Sequence, residues 1–468
     1  MRSNSSTEPP ADFASRVHRA LRAWHSQNTS DVLGDLLLAR QIEGEKKGAT
    51  LRLINNEVLL NGLNRLKQDD EEIADLLQRR FLNQETALQV AYRRNLSEDV
   101  VFQRQRAAID LLAGVIWEQE LELRQARLRQ METRLESPTY TRLFGVTEKL
   151  AELRTQLESN TEPWLVAMEG LGGIGKTSLA DALARQLALG IHFSEIGWIS
   201  ARRRMFHLSG EIETLDDCSD LTLAKLVEEL IAQFNLAGLS HQSDAEKLLG
   251  VKDFLKSHPC LVVIDNLETV ANYRALVLQL TKLVNPSKFL FTTRYSLRDV
   301  SGVYIVTLRE LPRADAVALI RHEAETRGLD DLAVSPETEL EAIYRVTGGN
   351  PLAIKLMVGQ IHSLSIPVVL SRFSAGKSKP VEELLDFLYQ AAWQTLDENC
   401  RRVLRAMLLV PEEGGRLEQL AAAAELNEDD TVACLHRLVV LSLITVNGSL
   451  HERRYSLHPL TQAFVTRQ

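Results

Sequence analysis

The stretch "WLVAMEGLGGIGKTSLADALARQ", Trp164 to Gln186, constrains this chain more than any other. An apolar run suited to a buried strand passes through a glycine-rich turn into a helical pattern that opens at Lys176. Such a junction belongs to a parallel sheet, whose strands need helical crossovers. The spacing Gly170-x-x-x-x-Gly175-Lys176-Thr177 also has a chemical reason. Gly170, Gly172, Gly173 and Gly175 let the loop backbone, with Ile174 and Ser178, wrap phosphate oxygens; Lys176 reaches the β and γ phosphates, and Thr177 offers a hydroxyl to Mg²⁺. The helix N-terminus adds a field that favours an anion.

Around this loop the short apolar runs "WLVAME", "IGWISA", "CLVVIDN", "KFLFTTR" and "VYIVTL" alternate with helical stretches at 176–189, 221–235 and 243–257. That alternation predicts an α/β domain with a mostly parallel sheet over 141–308. At 468 residues the chain exceeds one core, and two to four domains are expected. Residues 1–140 read as helical, with "SPTY" at the boundary; 309–379 read as a small helical domain and linker. In 380–468, helices at 381–394 and 399–408 precede a helix, turn, helix pattern. Two strand candidates with Asn447-Gly448 between them follow, and together these predict a winged helix.

A net charge of −9 argues against an extensive nucleic-acid-coating surface and leaves room for a local basic patch. Cys218, Cys260, Cys400 and Cys434 form no ligand-spaced pair and read as buried thiols in a reducing compartment. The opening "MRSNSSTEPPADF" has no apolar leader, and no run is long enough to span a bilayer. A cytoplasmic protein without membrane contact is the expectation.

Two further strand ends carry candidate chemistry. Asp265 closes "CLVVID" where ligands of parallel sheets bind, which makes it a candidate Mg²⁺ partner; an ordinary strand-end acid is the alternative. Arg294 follows "KFLFTT" and could sense a γ phosphate, or sit at the sheet rim. Asn266 cannot serve as a base, and Glu268 either projects toward the site as the catalytic acid-base candidate or caps the next helix.

With these residues in place, 141–468 resemble the nucleotide-binding module of signal-transducing STAND ATPases, in the NB-ARC (AP-ATPase) branch. "GLGGIGKTSLA", "LVVIDNLE" and "FLFTTR" carry the phosphate-loop, magnesium and sensor motifs, "GGNPLAIKL" the Gly-x-Pro motif, and "YSLHPLTQAFV" the histidine segment. The resemblance implies ADP, ATP and Mg²⁺ as ligands, Pro351 against adenine and ribose, and His458 on the β phosphate of ADP. It also implies an ADP-bound closed resting state that ATP opens into an oligomer, as in many bacterial regulators. The chain departs from that pattern: Phe144-Gly145 stands where relatives carry Gly-Arg beside the adenine, Asn266 replaces a second acid, and Pro459 and Leu460 alter the histidine motif. Slow or conditional hydrolysis is the expectation. Relatives commonly continue into a sensor; with the given sequence stopping at Gln468, the expectations are a separate sensor or effector protein, a truncated sequence, or regulation from the N-terminal end.

In the N-terminal part, helices are expected at 72–81, 84–94 and 97–118, with Ser97 as N-cap of the third. Ala87, Val90, Ala91, Leu96, Val100 and Val101 suit one helix packed across another. This segment resembles the helix-turn-helix of sigma factor region four, with "LSEDVVFQRQRAAIDLL" as recognition helix. Arg93, Arg94, Gln103, Arg104 and Arg106 would then meet DNA. With 20 basic against 21 acidic residues in 1–140, a protein-binding adaptor bundle stands as the alternative. A separate charged helix at 117–136 reads as a linker or dimer helix. Outside the switch, the competing functions are a DNA-binding transcriptional regulator with a weak nucleotide site, a metabolic or transport ATPase, and a scaffold.

Overall fold

The computed structural model describes residues 8–26, 31–46, 48–135, 138, 140–201, 204–206, 212–214, 221–361, 364–375, 379–411, 414–441, 443–449 and 452–468. Its contacts divide the chain into two compact units: Met1–Glu136 with Ala184–Ser194, and Ser137–Leu183 with Glu195–Gln468.

The first unit is helical: Phe13–Arg22, Leu37–Glu45, Leu51–Asp69, Glu71–Leu77 running into a π turn at Gln78–Leu82, Ala87–Arg94, and Glu98–Glu132. The expected start at 84 moves to Ala87. Thr86 and Gln89 form a reciprocal capping box there, satisfying amides that a longer helix would have buried in its interior. Ser97 caps the last helix through Val100 N–H, as its type and position predict. That helix continues for 35 residues instead of ending near 118, so no separate helix begins at 117. Its first half buries Val101, Ala108, Ile109, Leu112 and Ile116 against the bundle, and its second half contains no proline to break it. Glu120 is fully buried in it and accepts the amides of Leu37 (3.0 Å) and Leu38 (3.1 Å) while holding Arg124 at 2.7 Å, which caps the Leu37–Glu45 helix from outside.

The second unit is built on a five-stranded sheet, in the spatial order Glu195–Ser200, Cys260–Asp265, Lys288–Thr293, Leu165–Glu169, Val303–Thr307, with every pair parallel. The middle strands are buried along their whole length, which explains their unbroken apolar runs. The helices Lys176–Ala188, Leu223–Gln233 and Asp244–Ser257 match the expected stretches to within about two residues. A separate antiparallel pair joins Arg204–Phe206 to Ile212–Thr214.

Beyond the sheet come the helices Arg313–Thr326, Glu337–Thr347, Pro351–Ile361, Ile366–Ala375, Lys379–Gln394, Glu398–Ala406, Leu417–Ala424 and Glu428–Val440. The hairpin Thr445–Gly448 with Arg453–Ser456 and the short helix Pro459–Val465 close the chain. Asn447 and Gly448 are not the turn: they pair with Arg454 and Arg453, and the reversal falls after Gly448, whose φ of +89° suits the strand end. Gly415 bridges Tyr455 and widens the hairpin.

Cys260, Cys400 and Cys434 are buried free thiols, while Cys218 lies outside the described residues. Although far apart in sequence, Cys400 and Cys434 come together with Asp397, their sulfurs and a carboxylate oxygen lying within 4.8 Å of one another. Burial is the main reason both thiols are pushed up from their ordinary range. Among the described residues no helix is long and apolar enough to cross a membrane.

Candidate functional site

The glycine-rich loop leaves the buried strand Leu165–Glu169 and turns through Gly170 (φ +154°), Gly173 (+74°) and Gly175 (+99°). Residues with side chains rarely adopt such angles. Lys176, at the start of the helix, curls back so that Nζ donates to the carbonyls of Gly170 (2.8 Å) and Leu171 (2.9 Å). Burial pushes its ammonium down to about 8, with Glu268 and Asp265 opposing that shift and Arg294 adding to it.

Thr177 donates to Asp265 Oδ1 at 2.8 Å, and Thr292 donates to the same oxygen at 2.5 Å while accepting Asn266 N–H at 2.9 Å. Asp265 is fully buried. A hydroxyl and a carboxylate side by side at the phosphate loop form an oxygen donor set that fits Mg²⁺, with most of its shell left to water and phosphate. Asn266 takes a left-handed conformation (φ +59°), which turns the chain into a short 3₁₀ segment, Leu267–Thr269. Glu268 therefore points across to the neighbouring strand end: its carboxylate binds Arg294 Nε at 3.1 Å and accepts Arg294 N–H at 3.2 Å. Glu268 and Arg294 are thus paired with each other and lie near enough to influence the charge of Lys176.

Beside Ile174, Gly175 and Ser178 opens a cavity of about 910 Å³ with Phe144, Val146, Leu311, Tyr344 and Pro351 among its walls and His458 at one side. Phe144 packs on His322 (5.5 Å between rings) beneath the Arg142 guanidinium (4.9 Å). Pro351 is the first residue of its helix, where a missing N–H costs nothing. His458 accepts Leu460 N–H through Nδ1 (3.1 Å), leaving Nε2 to donate to the Gly348 carbonyl (3.3 Å), with Glu310 3.8 Å away. Burial lowers its basicity, and Glu310 and the Gly348 carbonyl partly offset that.

Two residues in this site escape a reading of the sequence. Asn350, fully buried, donates to the Gly172 carbonyl (2.9 Å) and caps the Pro351–Ile361 helix by accepting the amides of Leu352 (3.1 Å) and Ala353 (3.2 Å). Its place before Pro351 is the available signal, since Asn before a helix-starting proline is a cap pattern. Leu388, in the helix Lys379–Gln394, accepts Arg294 Nη1 at 3.0 Å, and nothing local in sequence marks it.

The expected DNA-facing residues divide. Gln103, Arg104 and Arg106 are exposed on the Glu98–Glu132 helix. Arg94 is spent on Asp75 (2.7 Å) and the Glu72 carbonyl (3.0 Å), and Arg93 pairs with Glu85 (3.4 Å).

A parallel sheet, a glycine cradle with its lysine, and a Thr–Asp pair beneath it define a P-loop NTPase domain that binds nucleotide. Residues 146–310 match the family model of the NB-ARC domain. Among solved structures, one similar to the chain is a signal transduction ATPase with numerous domains (STAND) that carries a tetratricopeptide repeat sensor, from Pyrococcus horikoshii. It is 19% identical with a TM-score of 0.30, over 70% of this chain and 43% of that one. The chain thus spans under half of that protein's length. Also similar are the Aeropyrum pernix ORC1 protein in complex with DNA (14% identity, TM-score 0.32, 70% of this chain and 94% of that one) and a Thermotoga maritima RuvB mutant (14%, 0.33, 69% and 96%). No curated protein matches.

Proposed function

We propose that the chain is a nucleotide-dependent signalling switch, closed around ADP at rest and opened by exchange for ATP, with oligomerisation as the consequence. One observation carries this reading: segments far downstream bond the phosphate loop and the arginine beside it. Asn350 bonds the Gly172 carbonyl, and Leu388 bonds Arg294. Helices that grip the loop in one arrangement can be biased by what the loop binds, provided the two nucleotides differ in affinity for the two arrangements.

In this reading Lys176 and the loop amides hold the phosphates, Thr177 and Asp265 hold Mg²⁺, and Phe144 and Pro351 flank the base. His458 closes the cavity from the last segment. Glu268, tied to Arg294, is the acid available to orient water; that tie is consistent with slow turnover. In this reading residues 380–468 are a winged-helix domain, supported by the helices Glu398–Ala406, Leu417–Ala424 and Glu428–Val440 followed by the hairpin with its Gly415 bridge. The proposed domains are 1–140, 141–308, 309–379 and 380–468.

Identifying the nucleotide retained by purified protein, then measuring its mass with ADP and with ATP, tests the switch. Retained ADP and a rise in mass with ATP alone are expected; folded protein with no nucleotide and no change in mass sinks it. A second reading, DNA binding through the N-terminal unit, has exposed Gln103, Arg104 and Arg106 in its favour. Duplex affinity of the full chain that falls steeply with salt would support it, and salt-independent or absent binding would leave a protein adaptor.

A further inference from the structure

Arg294 is held from two sides. Its Nε and backbone N–H rest on the Glu268 carboxylate, and Nη1 rests on the Leu388 carbonyl. The Leu388 side chain, itself buried, lies directly over the phosphate loop: a Cβ built on Gly172 would fall 2.9 Å from Leu388 Cδ2 and 3.1 Å from the Arg294 guanidinium carbon. A side chain at position 172 would push the Leu388 methyl and the Arg294 guanidinium aside.

The direction of the phosphate chain follows from the same loop. The cavity of about 910 Å³ opens against Ile174, Gly175 and Ser178. A polyphosphate entering from there passes the helix N-terminus and Lys176 and ends toward Gly172. Lys176, which reaches the outer phosphates of such loops, has Glu268, Arg294 and Asp265 as its electrostatic neighbours, so these mark the terminal end.

The geometry points to Leu388 as the residue that discriminates nucleoside diphosphate from triphosphate, by covering Gly172 and by holding Arg294 away from a third phosphoryl group. This inference rests on the nucleotide-site reading above and adds the element that reads the γ phosphate. A γ phosphoryl offers Arg294 a charge-assisted partner, stronger than the neutral Leu388 carbonyl. It also needs the space over Gly172 that the leucine covers. ADP makes neither demand and leaves the helix where it is; ATP is accommodated only as the helix withdraws.

The helix is connected onward. Tyr389 packs tilted against Phe464 and Trp393 meets it edge to face, at 5.4 and 5.8 Å between rings, and Asp386 lies 3.6 Å from Arg467. Withdrawal of Leu388 would therefore pull on the short Pro459–Val465 helix, whose N-cap is His458. One contact at the γ position thereby reaches the residue that closes the base cavity.

The test uses the full chain with Mg²⁺, comparing affinities for ADP and for a non-hydrolysable ATP analogue by calorimetry. Leu388→Ala, which keeps the carbonyl on Arg294 but removes the side chain over Gly172, is expected to lower the ratio of ATP-analogue to ADP dissociation constants about tenfold, a change on the scale of part of a buried leucine's packing. Leu385→Ala removes an equally buried leucine of the same helix that is not among the atoms nearest Gly172, and should weaken the fold without moving the ratio. Hydrogen exchange of 379–394 should be faster with the analogue than with ADP in the natural chain, and this difference should vanish in Arg294→Gln. A ratio unchanged in Leu388→Ala, or shifted equally in Leu385→Ala, overturns the inference while ADP binding stands. Absence of ADP binding by the natural chain would bring down the nucleotide-site reading itself.

Discussion

Lys176 has a strongly perturbed charge. Burial lowers its folded-state pKa from 10.5 to about 8, so between those values the unfolded chain holds a proton that the folded chain has released. Stability therefore rises with pH across that window, and the full cost of the buried ammonium is present below about 8. Phosphate restores a counter-charge, so ADP binding near the middle of the window, at about pH 9, should take up a proton. Calorimetry in buffers of different ionisation heat would read this as a buffer-dependent enthalpy; identical enthalpies would remove Lys176 from phosphate contact. Gly173 is constrained twice over, by a φ of +74° and by Leu352, whose Cβ lies 2.8 Å from where a new Cβ would stand. Gly173→Ala should cost about 2–4 kcal/mol, combining left-handed strain with overpacking, seen as an earlier denaturation midpoint.

At the scale of elements, the helix Pro351–Ile361 is attached to the loop by a cap that doubles as a clamp. Asn350→Asp keeps the acceptor for Leu352 and Ala353 but replaces the donor to the Gly172 carbonyl with a second acceptor. Thermal unfolding should show a loss of about 1–3 kcal/mol, and ADP should dissociate faster. Stability lost with an unchanged ADP off-rate would make Asn350 a cap alone. The long helix Glu98–Glu132 offers the opposite case: Gly114 lies in its interior, and an added Cβ would meet nothing within 4 Å. Gly114→Ala should stabilise the N-terminal unit by about 0.5–1 kcal/mol in a denaturant titration, since glycine is the poorer helix former. The same helix shows where periodicity misleads. The expected break near 118 rests on a change from an apolar stripe to a charged one, which marks where burial ends and leaves the backbone hydrogen bonds unaffected.

Across the second unit, the end of the chain returns to the middle: His458 lines the cavity and binds the carbonyl of Gly348, 110 positions earlier. If that return is the latch, His458→Ala should release a fluorescent ADP several-fold faster than the natural chain, on the scale of one lost buried hydrogen bond. Equal release rates would take the residue out of the mechanism. The long-range architecture is partly legible in the sequence. Five apolar runs become five parallel strands because the middle ones are buried on both faces, but their spatial order depends on which crossovers pack together.

By itself the sequence determined whatever local geometry decides: the phosphate loop, whose glycines permit its angles; the strand ends that put Asp265 and Arg294 at one edge; the cap at Ser97 and the helix start at Pro351. Tertiary structure alone decided the pairings between distant segments. Asn350 meets Gly172 across 178 positions, Leu388 meets Arg294 across 94, and Cys400 meets Cys434 and Asp397. Such contacts have no period or motif, because a carbonyl or a leucine looks the same in sequence whether it faces solvent, core or an arginine. Only the packing of one helix over the loop gives Leu388 its distinction, and that packing is a sum of many weak contacts spread over the chain.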